Sequence, residues 1–327
     1  MKRRTDRDRE LPRTAALSST SAPRLASVSI DLDGLHHYEA LLGLPSQSRA
    51  DAVARLAPVR LAELLDRVRA KGTFFAIGNE LLPGGEPLRA LAGSGHEIGN
   101  HSLSHPYALT RLEPGALRRE VEGGAVAIAA AVGARPLGFR APGYTLTSGL
   151  LDAVCDTGHR YDSSAFPAAP YYLAKAGVMA LLRARGRASA AILDRPRVLL
   201  APRLPYRPSQ AEPYRRGDRA LIELPLSVEP LTRLPFFGTL ITSAPWSVVR
   251  AAYRSVRRAP FLNLELHGVD LLDPSDGMAP ALAAAQRDLR VPAREKLRRV
   301  AEVLGWIADD YRLVTLSEAA THWASAT

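Results

Sequence analysis

His96-Glu-Ile-Gly-Asn-His101-Ser-Leu-Ser-His105 places two imidazoles four residues apart, just beyond a short apolar run. The Gly, Asn and Ser around them are poor mid-helix residues, so the run reads as a short strand over Glu97 to Gly99 that delivers His101 and His105 at its end. Four-residue spacing of neutral imidazoles is metal-ligand spacing. A catalytic zinc typically takes three protein ligands and leaves one position open, so a third ligand is required from elsewhere. Alone, the pair reads equally as surface or capping histidines.

The nearest source of a third ligand is Asp31-Leu32-Asp33-Gly34, which ends the apolar run Leu25 to Ile30. Residues i and i+2 of an extended chain point the same way. Both acids then face one pocket, where like charges oppose each other's ionisation unless a cation or donor intervenes. By itself such a motif is more often a turn or a helix start.

Working outward, strands and helices alternate. Pro58 to Ala70 has helical spacing with Val59, Leu61, Leu64, Leu65 and Val68 on one face, and Gly72 to Gly78 is a buried strand. Helices are expected over Leu88 to Ala92, Pro114 to Val132, Thr147 to Asp156, Trp246 to Arg257 and Pro292 to Asp310. Strands are expected at Leu137 to Phe139, Arg160 to Tyr161, Leu221 to Leu224, Phe261 to Leu266 and Leu313 to Leu316. This order means a parallel sheet with helices outside. Asp31, Asp33, His101, Arg140, Asp162 and His267 all fall at or just after strand C-termini, the ends that converge on one mouth in a (β/α) barrel. The expected fold is therefore an α/β, distorted (β/α) barrel of parallel strands with its site at that mouth. No glycine-rich phosphate loop follows the first strand, which weighs against a nucleotide-binding sheet.

At 327 residues, 46% hydrophobic and 23% charged, the chain is composed like a globular enzyme. The expected organisation is a disordered basic leader over 1–24 and a barrel over 25–327 carrying an insertion over 168–220. No run reaches the ~18 apolar residues that span a bilayer, and no signal-peptide core follows the N-terminus, so a cytoplasmic location is expected. The single cysteine, Cys155, excludes an internal disulfide framework. A net charge of +10 reads either as an Arg-rich solvated surface or as attraction to an anionic partner. Nucleic acid is disfavoured, because aromatics make up only 6% and no nucleic-acid motif appears.

Asp31-x-Asp33, Thr73-Phe-Phe, His101-Ser-x-x-His105, Arg140-Ala-Pro142-Gly, Asp162-Ser-Ser and Leu266-His267 occur in that order. Together they resemble the successive motifs of the polysaccharide deacetylase family, carbohydrate esterase family 4, over about 26–166 and 221–318. Two departures stand out. The family's acidic pair is adjacent, whereas Leu32 separates the acids here, a spacing that resembles the branch acting on lipid-linked or cell-envelope sugars; and 168–220 matches nothing in the short family core.

The resemblance implies a divalent metal, zinc foremost, held by Asp33, His101 and His105, and removal of an N-acetyl or N-formyl group from an amino sugar. The metal would polarise the acyl carbonyl and acidify water. Asp31 would take the water's proton, with Arg140 keeping it ionised and oriented. His267 would protonate the departing amine. The resemblance also implies that Tyr144 gives a backbone N–H to the oxyanion. Asp162 reads either as an orienter of Arg140 or as a turn residue.

His36 and His37 read as pocket-lining residues or as loop bystanders. His96 and His159 precede strands and belong to the opposite end. Glu265 reads as facing either the interior or a helix. Pro202 to Pro213, with Tyr206 and Tyr214, reads as a lid, a rim loop or a plain excursion. Across 168–220, ten arginines accompany an apolar run, Val178 to Leu182, beside Tyr171 and Tyr172. That pattern suits a peripheral contact with an anionic membrane at the inner face, and equally a soluble lid. The other functional class is a catalytically silent barrel that binds glycans or a membrane. Stoichiometric metal would separate it from the enzyme.

Overall fold

The computed structural model describes residues 24–187 and 189–326, so the expected leader lies, Arg24 apart, outside the described residues. The strands are β1 (Leu25–Asp31), β2 (Thr73–Ala76), β3 (Glu97–Asn100), β4 (Gly138–Phe139), β5 (Tyr161–Asp162), β6 (Ile222–Glu223), β7 (Phe261–His267) and β8 (Arg312–Leu313). They run in the order β6-β5-β4-β3-β2-β1-β7, with β8 also paired to β1. Every pairing between these strands is parallel. Closure comes from the segment beyond β6. The Ser227 N–H donates to Asn263 O at 3.1 Å, and Asn263 Nδ2 donates to Leu224 O at 3.0 Å. The expected distorted (β/α) barrel is what forms.

The helices are α1 (Leu35–Leu41), α2 (Ala52–Arg67), α3 (Leu88–Gly93), α4 (Pro114–Val132), α5 (Ser148–Asp156), α6 (Ala169–Ala184), α7 (Gly238–Ser243), α8 (Trp246–Val256), α9 (Pro280–Ala285), α10 (Ala293–Asp310) and α11 (Leu316–Ala326). Two expected boundaries are corrected. Pro58, the expected helix start, lies inside α2, which begins at Ala52; it is buried there, and packing offsets the backbone bond that a proline cannot make. The last strand is Arg312–Leu313, and Leu316 already belongs to α11.

Period-2 geometry explains β1. Ala26, Val28 and Ile30 join the core with Leu61, Leu65, Val300 and Leu304 of α2 and α10. Each of the Val, Ile and Leu side chains contributes about 1.5–3 kcal/mol when removed from water. Ser29 and Asp31, on the opposite side, meet Arg140 inside the barrel. On the neighbouring strand pair, a Cβ on Gly99 would come within 2.6 Å of the ring of its β2 partner Phe75, so β3 needs glycine there.

The stretch 168–220 supplies α6 and then runs along the free edge of β6. Tyr206 exchanges backbone hydrogen bonds with Glu223 at 3.1 and 2.8 Å, so the Pro-rich segment is packed against the wall. α6 is unusual in what it turns outward. Pro170, Leu173, Ala174, Gly177, Val178, Ala180 and Leu181 are exposed and none carries a charge, while only Leu182 is fully buried. Arg183, Arg185 and Arg187 follow, all exposed. Among the described residues no helix is long and apolar enough to cross a membrane.

Candidate active site

β1 and β3 flank β2, and their C-terminal ends bring Asp33, His101 and His105 together. His101 Nε2 lies 3.2 Å from Asp33 Oδ1, and His105 Nε2 lies 3.4 Å from Asp33 Oδ2. All three residues are buried. The His101 Nδ1–H donates to the Arg140 carbonyl at 2.7 Å, because a carbonyl can only accept. That tautomer turns the lone pair of Nε2 onto a carboxylate oxygen, an arrangement that needs a proton or a cation between them. Asp33 Oδ1 and both ring nitrogens of His105 are buried without a hydrogen-bond partner. This donor set fits a divalent cation of zinc type, with the carbonyl contact of His101 acting as the support that metal-ligating histidines normally have. Burial pushes the Asp33 carboxyl up, but His105 and His101 outweigh it and hold it well below the usual carboxylate range.

Asp31 belongs to a second set. Arg140 Nη1 donates to Asp31 Oδ1 at 2.6 Å, and its remaining donors reach the Ser163 carbonyl (2.8 Å), Ser29 Oγ (3.0 Å) and Ser163 Oγ (3.0 Å). The guanidinium is fully buried, 4.2 Å from the centre of the Phe75 ring. Burial favours its neutral form, but Asp31 reverses the effect and raises its pKa. Arg140 therefore keeps a carboxylate in a dry site oriented and paired.

On the other side, His267 ends β7 in register with Asp31. Its Nδ1 lies 2.9 Å from Glu265 Oε1, and its Nε2 lies 3.1 Å from the Tyr144 hydroxyl. Burial works against the imidazolium, yet Glu265 holds the pKa of His267 well above the ordinary value.

Two expected contacts come out differently. Asp162 does not touch Arg140. Its carboxylate accepts from Ser164 N and Ser164 Oγ, both at 2.9 Å, and Ser164 Oγ in turn accepts from Ala141 N at 2.8 Å. The carboxylate is engaged within its own turn, and Arg140 is bonded instead by the carbonyl and hydroxyl of Ser163. The Tyr144 N–H, expected to meet an oxyanion, donates to the Ala141 carbonyl at 3.1 Å within a tight turn. What Tyr144 turns toward Asp31 and His267 is its hydroxyl.

Other residues fall as follows. Glu265, undecided from sequence, is fully buried against His267. His96 accepts from the Gly72 N–H, and His159 contacts Thr157 and Asn100, so both are structural. His37 packs against His105 with ring centroids 4.2 Å apart and the planes tilted by 49°, and it meets Glu80. Sequence reasoning passed over Lys175 and Ser29. Lys175 Nζ donates to the Gly143 carbonyl at 3.2 Å, and burial brings its pKa down to about 8. Tyr171 packs against Phe166 and Tyr144, which sets α6 on the mouth. The signal for Ser29 was present, since Ser27, Ser29 and Asp31 form a polar period in an apolar strand.

Residues 51–161 match the family model described as polysaccharide deacetylase. The chain is 34% identical over 97 residues to the chitooligosaccharide deacetylase of Bradyrhizobium sp. (strain ANU 289), covering 29% of this chain and 44% of that protein. It is 29% identical over 119 residues to the peptidoglycan deacetylase of Helicobacter pylori, covering 35% and 39%. It thus spans less than half the length of the curated relatives it matches. A crystal structure from Mycobacterium smegmatis, assigned as a polysaccharide deacetylase, superposes with a TM-score of 0.56 at 18% identity, covering 96% of this chain and 94% of that one. That likeness shows the fold. The resemblance drawn from the ordered motifs is borne out by these matches.

Proposed function

We propose that this chain, which carries the polysaccharide deacetylase match over residues 51–161 and that barrel fold, is a metal-dependent hydrolase that removes an N-acyl group, acetyl or formyl, from an amino sugar. The observation that carries the reading is the lone pair of His101 Nε2 aimed at Asp33 beside the partnerless His105 nitrogens. Beside it stand an Arg140-held Asp31 and, across from Asp31 on β7, a Glu265-paired His267. Asp33, His101 and His105 are the metal ligands. When bound, a zinc-type cation supplies Lewis-acid polarisation of the acyl carbonyl and acidifies water.

The remaining work belongs to side chains. Asp31 accepts the proton of the attacking water, and Arg140 holds its carboxylate so that one oxygen stays available. His267, kept protonated by Glu265, gives its proton to the departing amine nitrogen. The Tyr144 hydroxyl, set between Asp31 and His267, positions the acyl group. Asp162 fixes the 140–144 turn through Ser164.

The separated acids and the outward apolar face of α6 support a finer reading, in which the sugar is carried on an anionic lipid and the protein sits peripherally on the inner membrane face. Lys175 and Tyr171 tie that helix to the mouth. The test is a screen of N-acylated amino sugars, free and lipid-linked, for released acetate or formate by metal-stripped and zinc-reloaded protein. Release only after reloading is expected. Equal release without metal, or none from any acylated sugar by fully loaded protein, overturns the reading.

A further inference from the structure

Beside the expected ligand set stands a second one that the reaction does not use. His36 and His37 open α1, directly after Gly34 and Leu35, and both turn their Nε2 atoms toward one oxygen of Glu80. His37 Nε2 lies 2.5 Å and His36 Nε2 3.5 Å from Glu80 Oε1. One ligand atom from each of the three residues lies within 4.8 Å of the others. The two rings are 4.1 Å apart, centroid to centroid, although they are adjacent in sequence. Two imidazoles drawn onto a single carboxylate oxygen exceed what one hydrogen bond needs.

Independent features hold the arrangement in place. The other Glu80 oxygen accepts from the Gly34 N–H at 3.1 Å. A Cβ on Gly34 would come within 2.6 Å of Glu80 Oε2 and 2.7 Å of His36 Cε1, so the trio is packed over a glycine that leaves room for no side chain. Exposure is graded. The His37 side chain is 10% accessible, that of Glu80 19% and that of His36 37%, so the trio runs from a buried His37 to a partly exposed His36.

We propose that His36, His37 and Glu80 form a second divalent-cation site at the mouth of the barrel. Two neutral nitrogens and one carboxylate oxygen are a donor set for zinc or a similar borderline ion, with calcium and magnesium disfavoured by the imidazoles. Three protein ligands leave a position open to an anionic group of an incoming substrate. The site shares a wall with the first, because the His37 and His105 rings pack against each other at a tilt, yet it uses none of the same ligands. Its half-exposed His36 makes it the weaker of the two. It stands or falls separately from the deacylase reading, since it is read by metal stoichiometry.

The experiment uses tag-free, full-length, metal-stripped protein titrated with zinc by calorimetry, with bound metal counted after equilibrium dialysis. Two equivalents are expected for the wild type. His36→Gln and Glu80→Gln should each retain one tight equivalent, and Asp33→Asn should lose the tight equivalent while keeping the weaker one. Far-UV dichroism and an unchanged tight site certify that the His36 and Glu80 variants fold. The cobalt(II) visible spectrum gives a second readout, with the later-filling band absent in Glu80→Gln. A single equivalent in the wild type at saturating zinc overturns the proposal. So does a second equivalent that survives both His36→Gln and Glu80→Gln.

Discussion

Glu265 and His267 lie two residues apart on the same strand, and their side chains meet at 2.9 Å inside the barrel. The pairing is possible because both point inward from β7, with Leu266 between them facing the helices. A fully buried carboxylate next to an imidazole favours the charged ring. His267 therefore keeps its proton to higher pH than an ordinary histidine, and activity that needs a general acid is lost as pH rises through that elevated pKa. Glu265→Gln should move the alkaline limb of the rate profile toward lower pH and leave zinc affinity unchanged. At alkaline pH the rate should drop at least ~10-fold, up to the ~10²- to 10⁴-fold that general acid–base groups contribute. A limb that stays in place while the rate falls uniformly would reduce Glu265 to a packing role.

Asp31 and Asp33 are close in sequence but differ in partners. Arg140 bonds Asp31 and the two histidines face Asp33. Asp31→Asn should retain zinc and lose ~10²- to 10⁴-fold in turnover, whereas Asp33→Ala and His101→Ala should lose the tight metal. Elemental analysis beside turnover separates the two outcomes. Full occupancy in Asp33→Ala would remove it from the ligand set, and near wild-type turnover in Asp31→Asn would move the base elsewhere.

Much of this site was legible because strand ends carry period and position. Asp31, Asp33, His101, Arg140 and His267 each follow an apolar run, and parallel topology gathers such ends. What sequence could not decide was side-chain direction beyond a strand. Asp162 is adjacent to Ser163, and a single step of the chain decides which of them faces Arg140. The Tyr144 turn has φ 59°, a left-handed conformation uncommon for a tyrosine. It directs the hydroxyl inward and commits the N–H to Ala141. The start of α2 was missed because Pro58 fits a first helical turn as well as a buried interior position.

Asp162 and Glu223 stand opposite each other on β5 and β6 and are both fully buried. Ala165 N donates to Glu223 Oε1 at 2.9 Å, while Glu223 Oε2 has no conventional hydrogen-bond partner. Burial, followed by the Asp162 charge, pushes the Glu223 carboxyl well above its ordinary value of 4.5. The folded chain thus retains a proton that the unfolded chain releases above about pH 4.5. The associated stability is present below that pH and is lost as pH rises toward the folded pKa. Glu223→Gln removes this dependence at nearly unchanged side-chain size. Urea unfolding should give similar stability at pH 4 and, above it, a gain that grows by about 1.4 kcal/mol per pH unit for as long as the wild type retains that proton. The same pH slope in both proteins would show that the pair carries no retained proton.

The outward face of α6 offers the most direct test of where the substrate comes from. Leu173 is 67% exposed, Val178 50% and Leu181 49%, and Leu200 and Leu231 are more exposed still. Water-facing leucines on a helix pinned to the site mouth give a surface suited to insertion at a lipid interface. Arg183, Arg185 and Arg187 would then lie near the headgroups, each worth about 1 kcal/mol with anionic lipid. Binding to phosphatidylglycerol-containing vesicles is expected at low salt, weaker at physiological salt and absent with purely zwitterionic lipid. Leu173→Ser, Val178→Ser and Leu181→Ser combined should abolish co-sedimentation. They should also lower turnover on a lipid-linked acyl-sugar while sparing a soluble one, because these side chains make little contribution to the core. If the wild type ignores anionic vesicles at low salt, or the triple variant binds them as well as the wild type, α6 is not a membrane contact and the insertion serves recognition of a soluble glycan.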